Sequence, residues 1–139
     1  MDFDVAVVGA GPSGSTTAEA LALAGFTVVL LEEHDQVGYP VHCSGLVTPR
    51  TLEVAGVDES IVTNRIRGTI IHTPKGKQII VGGDKVHALV IDRVRFDQLL
   101  AKRAQTNGVT LMVNSRVSRV EQMPGFRRVQ FLQFGKQRY

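Results

Sequence analysis

The sequence predicts an α/β fold, a parallel sheet flanked by helices with antiparallel strands inserted into it. Three observations predict it. An apolar run, Val5–Val8, leads into Gly9-Ala-Gly11-Pro-Ser-Gly14 and then directly into a helical pattern. A second apolar run, Thr27–Leu31, ends in an acid, Glu32. Between residues 66 and 91 the period changes, and short β-type runs alternate with turn signals.

The first unit is strand, glycine turn and helix. Val5 to Val8 reads as a buried parallel strand, and Ala18, Leu21, Ala22 and Gly25 recur at helical spacing after the turn. This is the context that a G-x-G-x-x-G dinucleotide fingerprint requires. Gly9 allows a sharp turn, Gly11 lets a pyrophosphate approach the backbone, and Gly14 lets the helix pack against the strand. The N–H groups of Ser13 and Gly14, at the positive end of the helix dipole, are candidate pyrophosphate donors. Pro12 falls in the first helical turn, where its missing N–H costs little.

The second strand, Thr27–Leu31, ends in Glu32, eighteen residues after Gly14. An acid there is placed to accept hydrogen bonds from both ribose hydroxyls of an adenosine moiety. Residues 33–50 contain Gly38, Pro40, Gly45 and Pro49 and read as a long loop, a length usually tied to function. Thr51–Ala55 reads as a short helix and Val57–Asn64 as a connector.

Ile66–Thr73, Gln78–Val81 and Val86–Ile91, separated by turns at 74–77 and 82–84, read as an antiparallel meander. A plain NAD domain continues with further strand–helix–strand units, so the meander points to a flavoprotein layout. Asp92–Asn107 reads as a helix with Phe96, Leu99, Leu100 and Ala104 on one face, stopped by Asn107-Gly108. Val109–Val113 reads as a parallel strand returning to the first sheet, and Val117–Val120 with Phe126–Phe134 as a hairpin around Met123-Pro-Gly125.

Composition narrows the partners. With 139 residues and 43% hydrophobic content, the chain is sized for one globular domain, and no run is long enough to span a membrane. A strand beginning by residue 3 leaves no room for a signal peptide, and a single cysteine excludes an internal disulfide. A reducing, cytoplasmic location is expected. Residues 116–139 carry six positive charges against Glu121 alone, a pattern compatible with a membrane surface, nucleic acid, an acidic domain or simply solvated strands. Tryptophan is absent and no aromatic residues interleave with the basic ones, which argues against nucleic acid. His34 and His42 lack metal-ligand spacing with Cys43 and read as solvated, so no metal site is expected. No nucleophile–base pair stands out, and no catalytic residue is assigned.

Three segments resemble one family. Gly9-Ala-Gly-Pro-Ser-Gly-Ser15 running on to Leu31-Glu32-Glu33 resembles the start of FAD-dependent oxidoreductases of the glutathione-reductase-like superfamily, with its Rossmann-like FAD-binding domain. Pro40-Val-His-Cys-Ser-Gly-Leu46 is similar to the Pro-Val-x-Cys segment of the geranylgeranyl reductase family, which includes archaeal digeranylgeranylglycerophospholipid reductases. Ile91-Asp-Arg-Val-Arg-Phe-Asp97 is similar to the Arg-x-x-Phe-Asp motif of that family.

The resemblance implies FAD as cofactor. It places Gly9, Gly11, Pro12, Ser13, Gly14, Glu32, Glu33, Arg93 and the Val117 backbone at the FAD, with Cys43, Ser44 and Gly45 as loop backbone near the flavin. It implies reduction of C=C bonds of isoprenoid chains, an isoprenoid lipid substrate held by a further domain, and peripheral membrane contact of the parent protein. The family's second flavin motif, a Gly-Asp pair, and its substrate domain fall beyond residue 139, so residues 1–139 are expected to be the N-terminal part of an FAD/NAD(P)-binding Rossmann-like domain, inactive alone. The competing readings are an FAD-dependent aromatic hydroxylase or halogenase and a nucleotide-binding module without chemistry of its own.

Overall fold

A computed structural model describes residues 2–139. In chain order the elements are β1 (Val5–Val8), α1 (Pro12–Leu23), β2 (Val28–Leu31), β3 (Leu46–Val47), α2 (Pro49–Ala55), a 3-10 turn (Glu59–Ile61), β4 (Val62–Ile66), β5 (Gly68–His72), β6 (Gln78–Gly82), β7 (Ala88–Ile91), α3 (Arg93–Thr106), β8 (Thr110–Met112), β9 (Ser115–Met123), β10 (Phe126–Gln133) and β11 (Lys136–Arg138). They divide into two compact units. One runs through Val41 and resumes at Val94–Tyr139; the other is His42–Arg93.

The first unit is built on a parallel sheet of order β1-β2-β8. β2 is buried along its whole length, as expected of a central parallel strand made of Val and Leu. Its core joins Ala10, Ala18, Val28, Leu30, Val37, Ala101, Ala104 and Val109, with Leu21 and Ala22 packed against it. Alanine on both helices lets them lie close to the sheet. The buried face of α3 is Phe96, Leu100, Ala101 and Ala104, while Leu99 is 38% exposed. The expectation that Leu99 belongs to that face is corrected; Ala101 takes the place, because the buried stripe drifts around the helix at 3.6 residues per turn.

A polar cluster pins α1 to α3. Arg103 Nε donates to both oxygens of Glu19 at 2.8 and 2.9 Å, and Asn107 Nδ2 donates to Glu19 Oε1 at 2.8 Å. Glu19 is buried, and these donors offset the cost of desolvating its carboxylate. The unit also holds an antiparallel sheet of order β11-β10-β9, with a register shift at Gln130/Phe131. The hairpin was expected; β11 was not, because Lys136–Arg138 is too short and polar to signal a strand.

In the second unit the inserted antiparallel strands divide into two sheets rather than one meander. β7 pairs with β3 on one side and β4 on the other, while β5 and β6 form a separate hairpin. The expected connector therefore contains a 3-10 turn and the start of β4, and the expected long loop ends in β3 and the first turn of α2. The β5–β6 hairpin exposes Ile70, Ile71, Ile79, Ile80 and Val81. No described helix is long and apolar enough to cross a membrane.

Candidate functional site

The glycine turn and the tip of β2 meet at one end of the parallel sheet. Gly9 N donates to Leu31 O at 2.7 Å, extending the β1–β2 pairing into the turn. Gly9 has φ +94°, a conformation that favours glycine. A Cβ on Gly14 would lie 1.9 Å from Gly9 O, so helix and strand approach at a distance only glycine allows. A Cβ on Gly11 meets nothing within 4 Å, so the space beside its backbone is open. The three glycines thus have different duties: a turn, an open cradle and a close approach.

Gly11 is the N-cap of α1 and Pro12 opens the helix, with no side-chain cap. The first backbone bond returning to the cap is Ser15 N to Gly11 O at 2.9 Å. The N–H groups of Ser13 and Gly14 have no acceptor among the described residues. They are the orphan donors that a helix start offers to an anion. Ser15 is fully buried and its Oγ donates to Ala10 O at 3.0 Å, which holds the turn against the helix.

Glu32 is tied into the same end. Its Oε2 accepts from Ala10 N at 2.8 Å, and its Oε1 accepts from His34 N at 3.1 Å and lies 2.8 Å from His34 Nδ1. Burial pushes the Glu32 carboxyl up, but the hydrogen bonds from Ala10 and His34 outweigh it and hold the pKa below the ordinary value. Glu32 is therefore an anion at neutral pH. The backbone is also fixed: Glu32 N donates to Met112 O at 2.9 Å and Ser115 N donates to Glu32 O at 2.7 Å. His34, expected to be solvated, keeps 40% of its side chain exposed, but its ring also partners Glu32, which was not expected. The missed signal was its place two residues beyond the acid, where a ring folds back easily onto a neighbouring side chain.

Glu33 is exposed and lies 3.6 Å from Arg116 Nε. Val117 sits on β9, an edge strand, opposite Phe131 at the register shift. Of the basic residues on this sheet, Arg119 is exposed and pairs with Glu121 at 3.2 Å, and Arg128 is half-buried, its guanidinium 5.7 Å from the centre of the Tyr139 ring.

In the second unit, Cys43 and Ser44 are exposed and Gly45 is buried. Gly45 O accepts from Ile91 N at 3.0 Å. A Cβ on Gly45 would lie 2.3 Å from Ile91 O and 3.4 Å from Arg93 Cγ, so this glycine is required by packing. The structure thereby brings Gly45 and Arg93 together.

Residues 2–132 match the model of a family described as the FAD-binding domain. The chain belongs to the FAD-binding domain family. It is 41% identical over 121 residues to a protein of Methanopyrus kandleri named digeranylgeranylglycerophospholipid reductase 2, covering 84% of this chain and 30% of that one. It is 37% identical over 134 residues to an uncharacterized protein encoded in the nifH2 5′ region of Methanosarcina barkeri, covering 86% of this chain and 69% of that one. A crystal structure of a geranylgeranyl bacteriochlorophyll reductase-like protein from Thermoplasma acidophilum superposes with a TM-score of 0.84 at 29% identity, covering 97% of this chain and 36% of that one. The chain therefore spans about 30% of the length of the first curated reductases it matches. FAD is the cofactor of this family's domain, and the oxidoreductase fold expected from the sequence is the one found.

Proposed function

We propose that this chain forms the adenosine-binding part of an FAD-dependent reductase that acts on C=C bonds of isoprenoid chains in lipid synthesis. The observation that carries the proposal is the convergence at one sheet end of an open glycine cradle at Gly11, unpartnered N–H groups on Ser13 and Gly14, and an ionised Glu32. Those three features suit a pyrophosphate and a ribose joined as in FAD. The reductases among its relatives support the reaction class.

In this reading Gly9, Gly11 and Pro12 shape the turn, and Ser13 and Gly14 donate backbone N–H to the pyrophosphate. Glu32 accepts from the ribose, with Glu33 beside it, and the Val117 backbone faces the adenine. The Arg93 guanidinium binds phosphate. Cys43, Ser44 and Gly45 present backbone near the flavin. FAD, when bound, supplies hydride-transfer chemistry to the substrate. The isoprenoid lipid is held by polypeptide beyond this chain, and membrane contact belongs to that whole protein. A calorimetric titration of ADP into the wild type and Gly11→Val tests the reading. The wild type binds and Gly11→Val, with its side chain in the open cradle, does not; equal affinities contradict it.

A further inference from the structure

Glu32 has more hydrogen-bond donors than the fingerprint requires. An ionised carboxylate only accepts and offers about four lone-pair positions, two per oxygen. Ala10 N takes one position on Oε2. His34 approaches Oε1 with its backbone N–H at 3.1 Å and its ring Nδ1 at 2.8 Å. Since the carboxylate has no proton to give, the ring must carry its hydrogen on Nδ1 and donate it. Oε1 is then saturated, and one position is left, on Oε2.

We propose that His34 is a positioning residue that occupies Oε1 of Glu32 and leaves Oε2 to receive a single hydroxyl of the adenosine ribose. The proposal rests on the adenosine reading given above and narrows it, since the fingerprint alone predicts that both hydroxyls bind. Two further contacts keep His34 in place. Asn114 N donates to His34 O at 2.8 Å, and Ser115 N donates to Glu32 O at 2.7 Å, so residues 32–34 lie fastened along the chain that leads into β9. The Glu32 side chain is only 12% exposed, against 40% for His34, so the carboxylate depends mainly on these protein donors. Ribose specificity is thereby set by a residue that need not touch the nucleotide.

The test is a set of titrations with ADP, 2′-deoxy-ADP and 3′-deoxy-ADP into the wild type, His34→Ala and His34→Asn. The asparagine amide nitrogen sits close to where the histidine Nδ1 lies and can donate to Oε1. The wild type should lose about ten-fold in affinity for one deoxy analogue and little for the other. His34→Ala should lose about ten-fold for each analogue relative to ADP, because Oε1 is now open to the second hydroxyl. His34→Asn should behave as the wild type. A purely structural role for His34 would lower affinity for all three nucleotides together and leave their ratios unchanged, which overturns the proposal. A wild type that loses affinity for both analogues also overturns it, while leaving Glu32 as the ribose ligand. A wild type indifferent to both deletions, or one that fails to bind ADP, removes the adenosine reading itself.

Discussion

The backbone N–H of Ala10 donates to Glu32 Oε2 at 2.8 Å, joining the glycine turn to the tip of β2 across twenty-two residues of sequence. This bond sets the carboxylate before any nucleotide arrives. It also makes the turn a partner in the ionisation of Glu32, whose pKa lies below its ordinary value.

A pH dependence follows from that direction. A carboxyl whose folded pKa is depressed contributes stability that is fully present above its unfolded pKa and is lost as pH falls through the folded pKa. Replacing Glu32 by Gln should lower stability at neutral pH by about 1–3 kcal/mol and flatten part of the acid limb. Urea unfolding at pH 7 and at about pH 3 checks it. The difference between wild type and Glu32→Gln should shrink on acidification; a constant difference would contradict the assignment.

Gly14 and Gly11 should respond oppositely to the same change. Gly14→Ala places a Cβ 1.9 Å from Gly9 O and should cost at least about 3 kcal/mol of stability. Gly11→Ala meets open space and should leave the melting temperature near that of the wild type while weakening ADP binding. Thermal melts and ADP titrations of the two variants separate a packing role from a ligand role.

The parallel core was legible because its signals are local. Val5–Val8, the three glycines and the acid after Leu31 each act within a few residues, and the structure has strand, turn, helix and acid in that order; only the burial of β1 is corrected, since its residues alternate between half-buried and exposed, with Val8 56% exposed, where a fully buried strand was expected. The second unit was less legible. Gln78–Val81 and Val86–Ile91 are both good strand sequences, yet β7 pairs with β3 and β4 instead of β6. Strand partners depend on tertiary competition that a period of two does not encode. Glu19 and His34 were missed for another reason: each is polar, and a polar residue's structural role shows only through a distant or folded-back partner, Arg103 and Asn107 for one and Glu32 for the other.

Removing the buried acid should loosen α1 from α3. Glu19→Ala leaves the Arg103 and Asn107 donors without their shared acceptor and should destabilise the chain by about 1–3 kcal/mol. Arg103→Ala leaves the Glu19 carboxylate with only the Asn107 donor and should cost a similar amount. The double variant should be less destabilised than the sum, because both changes remove one network. Denaturant titration of the three proteins gives the coupling.

The β5–β6 hairpin should drive self-association of the isolated chain. Ile70 pairs with Ile80 across the hairpin, and they are 53% and 77% exposed. Exposed apolar patches of this kind mark contact surfaces or aggregation sites. Ile70→Lys with Ile80→Glu should shift sedimentation profiles toward monomer while leaving far-UV circular dichroism unchanged. Unchanged association would place the sticky surface elsewhere.

Whether this chain holds the adenosine half of FAD is read by comparing the affinities of ADP and FAD for the same purified protein. The two affinities should agree within about ten-fold, flavin absorbance should be largely lost on desalting, and a geranylgeranyl lipid should not be turned over by this chain alone. A chain that fails to bind ADP, or one that emerges from desalting with stoichiometric flavin and reduces the lipid, would contradict it.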